Sequence, residues 1–267
     1  MDIFGDRMKS YECKQRFMPL LPIIARLDGK NFSRFTKGLN CPYDSRFVDV
    51  MIETAKYIVD ESNALVAYTQ SDEITLIFYS DEHKSQVFFD GKVQKMVSVL
   101  SSMATAKFNE IRKEFLPDFK PHVLALFDCR CYQVPTKMEA ANSVLWREQD
   151  ATNNAINMAA HHYFGHKKTM HLNGNEKQEI LWSEVGVNFN DYPAYFKRGT
   201  FIQRKLVDVE IDQETWLKIP ERNRPESRLV KRHKIISVEM PTFTKVTNRV
   251  ETIFDGEEPS IDLHGVV

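Results

Sequence analysis

The stretch ALVAYTQSDEITLIFYS, residues 64–80, decides the fold. Two short runs rich in β-branched and aromatic residues, ALVAYTQ and ITLIFYS, are parted by Ser71, Asp72 and Glu73, the pattern of a β-hairpin with three polar residues at its tip. Upstream, LPIIARLDG (21–29) is an apolar, β-branched run that ends in Asp28 and closes with Gly29, so it reads as a buried strand. Between the two, residues 42–62 place Phe47, Val50, Met51, Ala55, Ile58 and Val59 at helical spacing, with Pro42 and Asp44 as start signals. Downstream, residues 93–115 return to helical spacing through Val97, Leu100, Met103, Ala104, Phe108 and Ile111, and HVLALFDCRCYQV (122–134) reads as another strand. The order is β-α-β-β-α-β, which predicts an α+β, ferredoxin-like core: an antiparallel sheet with two helices on one face. In that topology the first strand lies beside the central hairpin, so Asp28 and Asp72 are expected as neighbours.

Further along, residues 136–164 predict a helical stretch terminated by Gly165. Residues 167–205 mix turn residues with short apolar runs, which predicts loops, with a strand at GTFIQRKLV (199–207). A basic run, 218–234, reads as a solvated arm, and the acidic stretch 248–267 as a tail. The expected division is therefore a main domain over 1–210 and a C-terminal extension over 211–267, basic then acidic.

The chain has 267 residues, 42% of them hydrophobic, enough for a sizeable core. With 36 basic and 37 acidic residues, the net charge of −1 demands no anionic partner. No apolar stretch approaches the roughly 20 residues that cross a bilayer, so no membrane contact is expected. Cys13, Cys41, Cys129 and Cys131 form no CxxC pair, and the first ten residues lack an apolar leader, which fits a reduced, cytoplasmic protein. Cys129 and Cys131 flank Arg130 and would share one strand face; without a second cysteine or histidine pair they read as small buried residues. His161, His162, His166 and His171 likewise lack metal-site spacing.

Two carboxylates at one sheet edge can bridge a pair of divalent cations about 3.5–4 Å apart, the arrangement for phosphoryl transfer. Hard oxygen donors suit Mg²⁺, held by one or two carboxylates together with substrate phosphates. Gly29, lacking a Cβ, permits close approach of backbone to metal and phosphate, and Lys30, Asn31 and Ser33 add donors.

RLDGKNFSRF, YTQSDEITLIF, FDCRCYQVP, WREQD and EILWSEVGVNFNDYPAYFKRGT, in this order and spacing, resemble the motifs of the tRNA-histidine guanylyltransferase superfamily over roughly residues 3–205. These enzymes add nucleotides in the 3′-to-5′ direction on a palm-type ferredoxin-like domain. The resemblance implies that Asp28 and Asp72 bind two Mg²⁺ ions, with the Gly29 carbonyl as a further ligand and Glu73 as an acidic helper. It implies that Gly29, Lys30, Asn31 and Phe32 cradle the nucleotide triphosphate through backbone amides, with Ser71 against the same phosphates. Asn188, Lys197 and Arg198 would contact phosphate or the RNA end. ATP and GTP or other nucleoside triphosphates would be substrates, tRNA the partner, and a homotetramer the assembly. Members dedicated to tRNA-histidine carry His-Ile-Asn-Asn after the Trp-Arg segment, whereas this chain has DATNN (150–154), with Thr152 and Asn153 at the first two places. That departure resembles the "-like" branch of bacteria and archaea, which repairs truncated tRNA 5′ ends on a template. Guanylate addition to tRNA-histidine is the alternative, and a non-catalytic RNA-binding protein or a nucleotide cyclase the more distant ones. Arg222, Arg224, Lys231 and Arg232 are the candidate RNA-contacting residues of the basic arm.

Overall fold

Ile23, Ala25 and Leu27 alternate along the chain with Ile24, Arg26 and Asp28, and this period of two sorts the first strand's side chains onto two faces. The computed structural model describes residues 3–83 and 87–262. Strands β1 (Ile23–Gly29), β2 (Val66–Gln70), β3 (Glu73–Phe78), β4 (Phe127–Gln133), β5 (Thr200–Glu210) and β6 (Leu229–Val238) form an antiparallel sheet in the order β4-β1-β3-β2-β5-β6. The helices are α1 (Ile3–Lys9), α2 (Phe32–Phe35), α3 (Ser45–Ser62), α4 (Val93–Phe115), α5 (Lys137–Thr169), α6 (Gly174–Val185), α7 (Ala194–Arg198), α8 (Gln213–Lys218) and α9 (Arg249–Phe254). The first four strands with α3 and α4 are the expected βαββαβ core.

Each sheet face is closed by the helices its side chains call for. Ile23, Ala25, Leu27, Ile74 and Leu76 pack with the apolar stripes of α3 and α4, among them Val50, Met51, Ile58, Leu100 and Phe108. Phe32 anchors this side, with Phe35, Phe47, Phe108 and Phe127 at ring centroids 5.0–6.1 Å away. The opposite face, with Ile24, Val66, Tyr68, Ile77 and Phe201, receives Ala140, Ala141, Val144 and Ala151 of α5, whose small side chains let the helix lie close.

Four segments depart from expectation. Only 127–133 of the 122–134 run is strand, because the ladder with β1 ends where Gly29 stands opposite Phe127. Instead the Asn109 side chain bonds both backbone groups of Ala125, at 2.8 and 3.1 Å, which leaves Val123, Leu124 and Leu126 exposed. Residues 174–185, expected as loop, are helical, started by a capping box between Asn173 and Glu176. The basic run enters the sheet, since β6 pairs with β5 along its whole length and the two leave the core as a ribbon. Part of the acidic stretch forms α9, which buries Thr252 and Ile253; residues 263–267 lie outside the described residues. Helix α5 breaks at Gly165, where φ is +73°, as expected from the glycine.

Gly199 joins α7 to β5 at φ +74°, where a Cβ would lie 2.6 Å from both the Thr69 carbonyl and the Tyr68 hydroxyl. A positive φ and a backbone collision cannot both be relieved by rotamer changes. Gly199→Ala is therefore expected to lower unfolding free energy by about 2–4 kcal/mol in urea titration, and an unchanged midpoint would contradict the close approach.

Candidate active site

The site is built by register. Asp28 pairs with Glu73 on β3 and with Asp128 on β4, so three carboxylate residues stand in one row across adjacent strands. Alternation puts their side chains on the α5 face, with Arg130, Arg26 and Thr75 in the next row. Because Gln70 pairs with Glu73, only Ser71 and Asp72 remain for the turn, and Ser71 takes the left-handed conformation at φ +52°. This tight turn holds Asp72 beside the end of β1. The Ser71 hydroxyl lies 3.1 Å from Asp72 Oδ1, to which it donates.

Electrostatics follow from that crowding. Burial, with the charge of Asp28 adding to it, pushes the Asp72 carboxyl up to about 6. Glu73 is also raised by burial, but Arg147 counters it: Arg147 Nε donates to Glu73 at 2.6 Å and Nη2 to Asp150 at 2.9 Å. Arg147 is 11% exposed, so this guanidinium clips α5 to the start of β3 with little solvent screening. Glu73, expected as an acidic helper, is thus a member of an ion-pair network, whereas among the described residues neither Asp28 nor Asp72 forms a salt bridge.

A Cβ on Gly29 itself would sit 2.3–2.6 Å from the Phe32 ring, so glycine is required at the end of β1. Of the expected phosphate cradle, the Lys30 amide donates to the Leu126 carbonyl at 2.8 Å, and the Phe32 side chain belongs to the core. Asn31 adopts φ +57° and turns the chain into α2. Asn188 accepts from the Asn190 amide at 3.0 Å, Lys197 donates to the Asn190 carbonyl, and Arg198 Nε lies 4.0 Å from buried Glu148. The Tyr68 hydroxyl donates to the Arg198 carbonyl at 2.7 Å. These bonds fix the α7 turn against β2, and Tyr195 and Phe196 of that turn wall a cavity that ends at Ser71. Leu39, Pro42 and Phe47, with Met158 of α5, line the same cavity. Thr152 bonds back to the Glu148 carbonyl at 3.1 Å, and Asn153 and Asn154 face solvent.

The cavity residues 36–47 lie outside the five motifs, and Asp128 and Arg147 lie inside FDCRCYQVP and WREQD without standing out there as site residues. The alternation in FDCRC could have marked Asp128, since Cys129 and Cys131 share the core face, their sulfurs 3.8 Å apart, and Asp128 must point the other way. Arg147 meets Glu73 across 74 positions, which no short-range pattern reveals. Among the described residues no cluster of three or more His, Cys, Asp or Glu is placed to hold a metal. The donor set Asp28, Asp72 and backbone carbonyl is instead the partial, hard-oxygen set that suits Mg²⁺ completed by substrate phosphates. The raised Asp72 marks uncompensated negative charge that a cation would relieve.

Known proteins resemble this chain over most of its length. The family model for tRNAHis guanylyltransferase matches residues 5–135, and that for the Thg1 C-terminal domain matches residues 140–243. A bacterial tRNA(His) guanylyltransferase-like protein solved in complex with ATP is 40% identical, with a TM-score of 0.71, covering 76% of this chain and 87% of its own. A second, solved in complex with GTP, is 33% identical with a TM-score of 0.71, covering 91% and 95%. The tRNA(His) guanylyltransferase of Saccharomyces cerevisiae is 28% identical over 214 residues, 74% of this chain and 89% of that one.

A carboxyl raised from 3.8 to about 6 on folding supports the fold fully below 3.8 and loses that support as pH rises through 6. Ionised Asp72 therefore opposes folding at pH 7.5 when metal is removed. In chelator, Asp72→Asn is expected to gain about 1–2 kcal/mol at pH 7.5, after discounting for partial exposure, and almost nothing at pH 4. Urea titration at the two pH values checks this; equal offsets would contradict it.

Proposed function

This chain belongs to the tRNAHis guanylyltransferase (Thg1) family and is a nucleotidyltransferase; from that premise we propose that it adds nucleotides to tRNA 5′ ends in the 3′-to-5′ direction, guided by the opposite strand. The observation that carries the proposal is the pairing of Asp28 with Glu73, which sets the Asp72 turn against the end of β1. Asp28, Asp72 and the Gly29 carbonyl would hold Mg²⁺, two ions in all. Bound there, the metal supplies neutralisation of phosphate charge and activation of the attacking hydroxyl.

The residues of the chain do the rest. The cavity between Phe47 and Phe196 takes the base, and Ser71 faces the phosphates. Arg147 keeps the start of β3 at a constant distance from α5, so that Asp72 stays opposite Asp28. In the first step a tRNA 5′-monophosphate attacks the α-phosphorus of ATP and pyrophosphate leaves. In the second, the 3′-hydroxyl of an incoming nucleotide attacks the activated 5′ phosphorus and AMP leaves. A 5′-triphosphate end loses pyrophosphate directly. That bacterial relatives were solved with ATP and with GTP supports nucleotide binding here. Thr152 and Asn153, one bonded to its own helix and one solvated, in place of His-Ile, support templated repair over guanylate addition to tRNA-histidine.

A homotetramer belongs to the same proposal, and the exposed Ile3, Phe4 and Met8 of α1 offer apolar surface for assembly. The β5–β6 ribbon is the proposed RNA-backbone contact through Arg222, Lys231 and Arg232, all exposed. Arg224 leaves that set: its guanidinium lies 5.6 Å over Trp216 and donates to the Ile219 carbonyl, so it braces the ribbon's tip.

With Mg²⁺, ATP and labelled nucleotides, a 5′-monophosphorylated tRNA lacking its first nucleotide is expected to gain the complementary one, and Asp28→Ala or Asp72→Ala to lose at least 10³-fold in rate. Efficient guanylate addition to full-length tRNA-histidine would favour the guanylyltransferase reading, and no incorporation would overturn both. Changing Arg222, Lys231 and Arg232 together to Ala should lower the slope of log affinity against log salt by about 2–3. An unchanged slope would remove the ribbon from the RNA contact.

A further inference from the structure

The cavity that ends at Ser71 contains one charged group among the described residues, Asp44, the N-cap of α3. Its side chain is 2% exposed, and four donors converge on it. Oδ1 accepts from the Arg46 amide at 3.1 Å and from Arg46 Nε at 3.0 Å. Oδ2 accepts from the Asn40 amide at 3.2 Å and from Arg46 Nη2 at 2.7 Å. An ionised carboxylate offers about four lone-pair sites, so Asp44 is saturated. The two amides belong to the fold, one closing the loop before α3 and one capping the helix. The other two bonds come from one half-exposed side chain that is no part of the core.

This division bears on which base the cavity takes. Guanine presents two adjacent donors on its pairing edge, N1–H and the N2 amine, and a carboxylate with two open lone pairs would grip both. Adenine presents an acceptor, N1, beside a donor, the N6 amine, so it gives the same group one bond at most and sets N1 against the second oxygen. Of the remaining lining, Leu39, Pro42, Phe47, Met158 and Phe196 contact a base by shape and read no edge, while the side-chain amides of Asn40 and Gln70 and the hydroxyls of Thr36, Tyr43 and Tyr195 can present either donor or acceptor and so favour neither purine.

We propose that Arg46 silences base selection in this cavity: by occupying the two acceptor sites of Asp44 that the fold leaves open, it lets the cavity take either purine, so that template pairing decides which nucleotide is added. Arg46 acts through Asp44 and is a positioning residue. The inference rests on the reading that the base lies in this cavity and deepens it.

The test is equilibrium binding of ATP and of GTP, with Mg²⁺ and no RNA, to the full chain and its variants. The unsubstituted protein should bind the two within about threefold. Arg46→Ala leaves both backbone bonds to Asp44 and should move the ratio at least tenfold towards GTP, about 1.4 kcal/mol. Arg46→Lys, which lacks the fork, should move it the same way by less and serves if the alanine variant does not fold. Adding Asp44→Asn to Arg46→Ala should erase the gain. In templated addition, Arg46→Ala should raise guanylate incorporation opposite non-cytidine positions. An unchanged ratio in both Arg46 variants, or a native preference for GTP above tenfold, overturns the inference. Met158→Trp, which fills the cavity, separates the two levels. If it weakens both nucleotides while the Arg46 ratio stays flat, only the inference falls; if it weakens neither, the base lies elsewhere and the cavity assignment falls with it.

Discussion

The register between β1 and β3 is the constraint on which everything else depends. Side chains alternate with a period of two, so a slip of one residue would turn Asp28 into the core and bring Leu27 to the α5 face. With the observed pairing, Leu27 is buried against α3 and α4 while Asp28 stands opposite Glu73, and the two-residue turn carries Asp72 to the same end. The hydrophobic pattern that folds the sheet is therefore also what brings two like charges together. Folding and chemistry share one specification.

Like charges held close oppose folding, and the surrounding structure supplies the restraint. Phe32, packed among four other phenylalanines, fixes the turn after Gly29 from below. From above, α5 reaches the site through Arg147 and reaches the chain's C-terminal part through Glu148, whose two oxygens accept from the Phe243 amide at 3.0 and 2.9 Å. Adjacent residues of one helix thus tie the hairpin start and the segment after β6 to a common support. Gly199 and Tyr68 complete the frame by seating α7 against β2. The C-terminal part is thereby part of the frame around the site.

Much of this was legible in the sequence because strong periods and short-range signals marked it: the LPIIARLDG strand, the SDE hairpin, the stripes of α3 and α4, and Gly165 as a helix break. What escaped was either non-local or lacked a period. β6 bears Lys231, Arg232, His233 and Lys234 in succession, so an edge strand exposed on both faces shows no alternation. The run before Phe127 has the apolar character of a strand, yet the ladder with β1 stops at Phe127. The capping box at Asn173 and Glu176 is a local signal that the turn residues around it mask. Asp28 and Asp72 were named from their place at strand ends, whereas the Arg147–Glu73 clip and the saturation of Asp44 exist only once the chain has folded.

The most direct measurement is anomalous diffraction from crystals grown with Mn²⁺ and a non-hydrolysable nucleotide. The account predicts two metal peaks about 3.5–4 Å apart, each within bonding distance of a carboxylate oxygen of Asp28 or Asp72, with the nucleotide phosphates completing both. Metal bound away from the end of β1, or held unchanged in an Asp28→Ala crystal, would contradict the claim that strand register builds the catalytic centre.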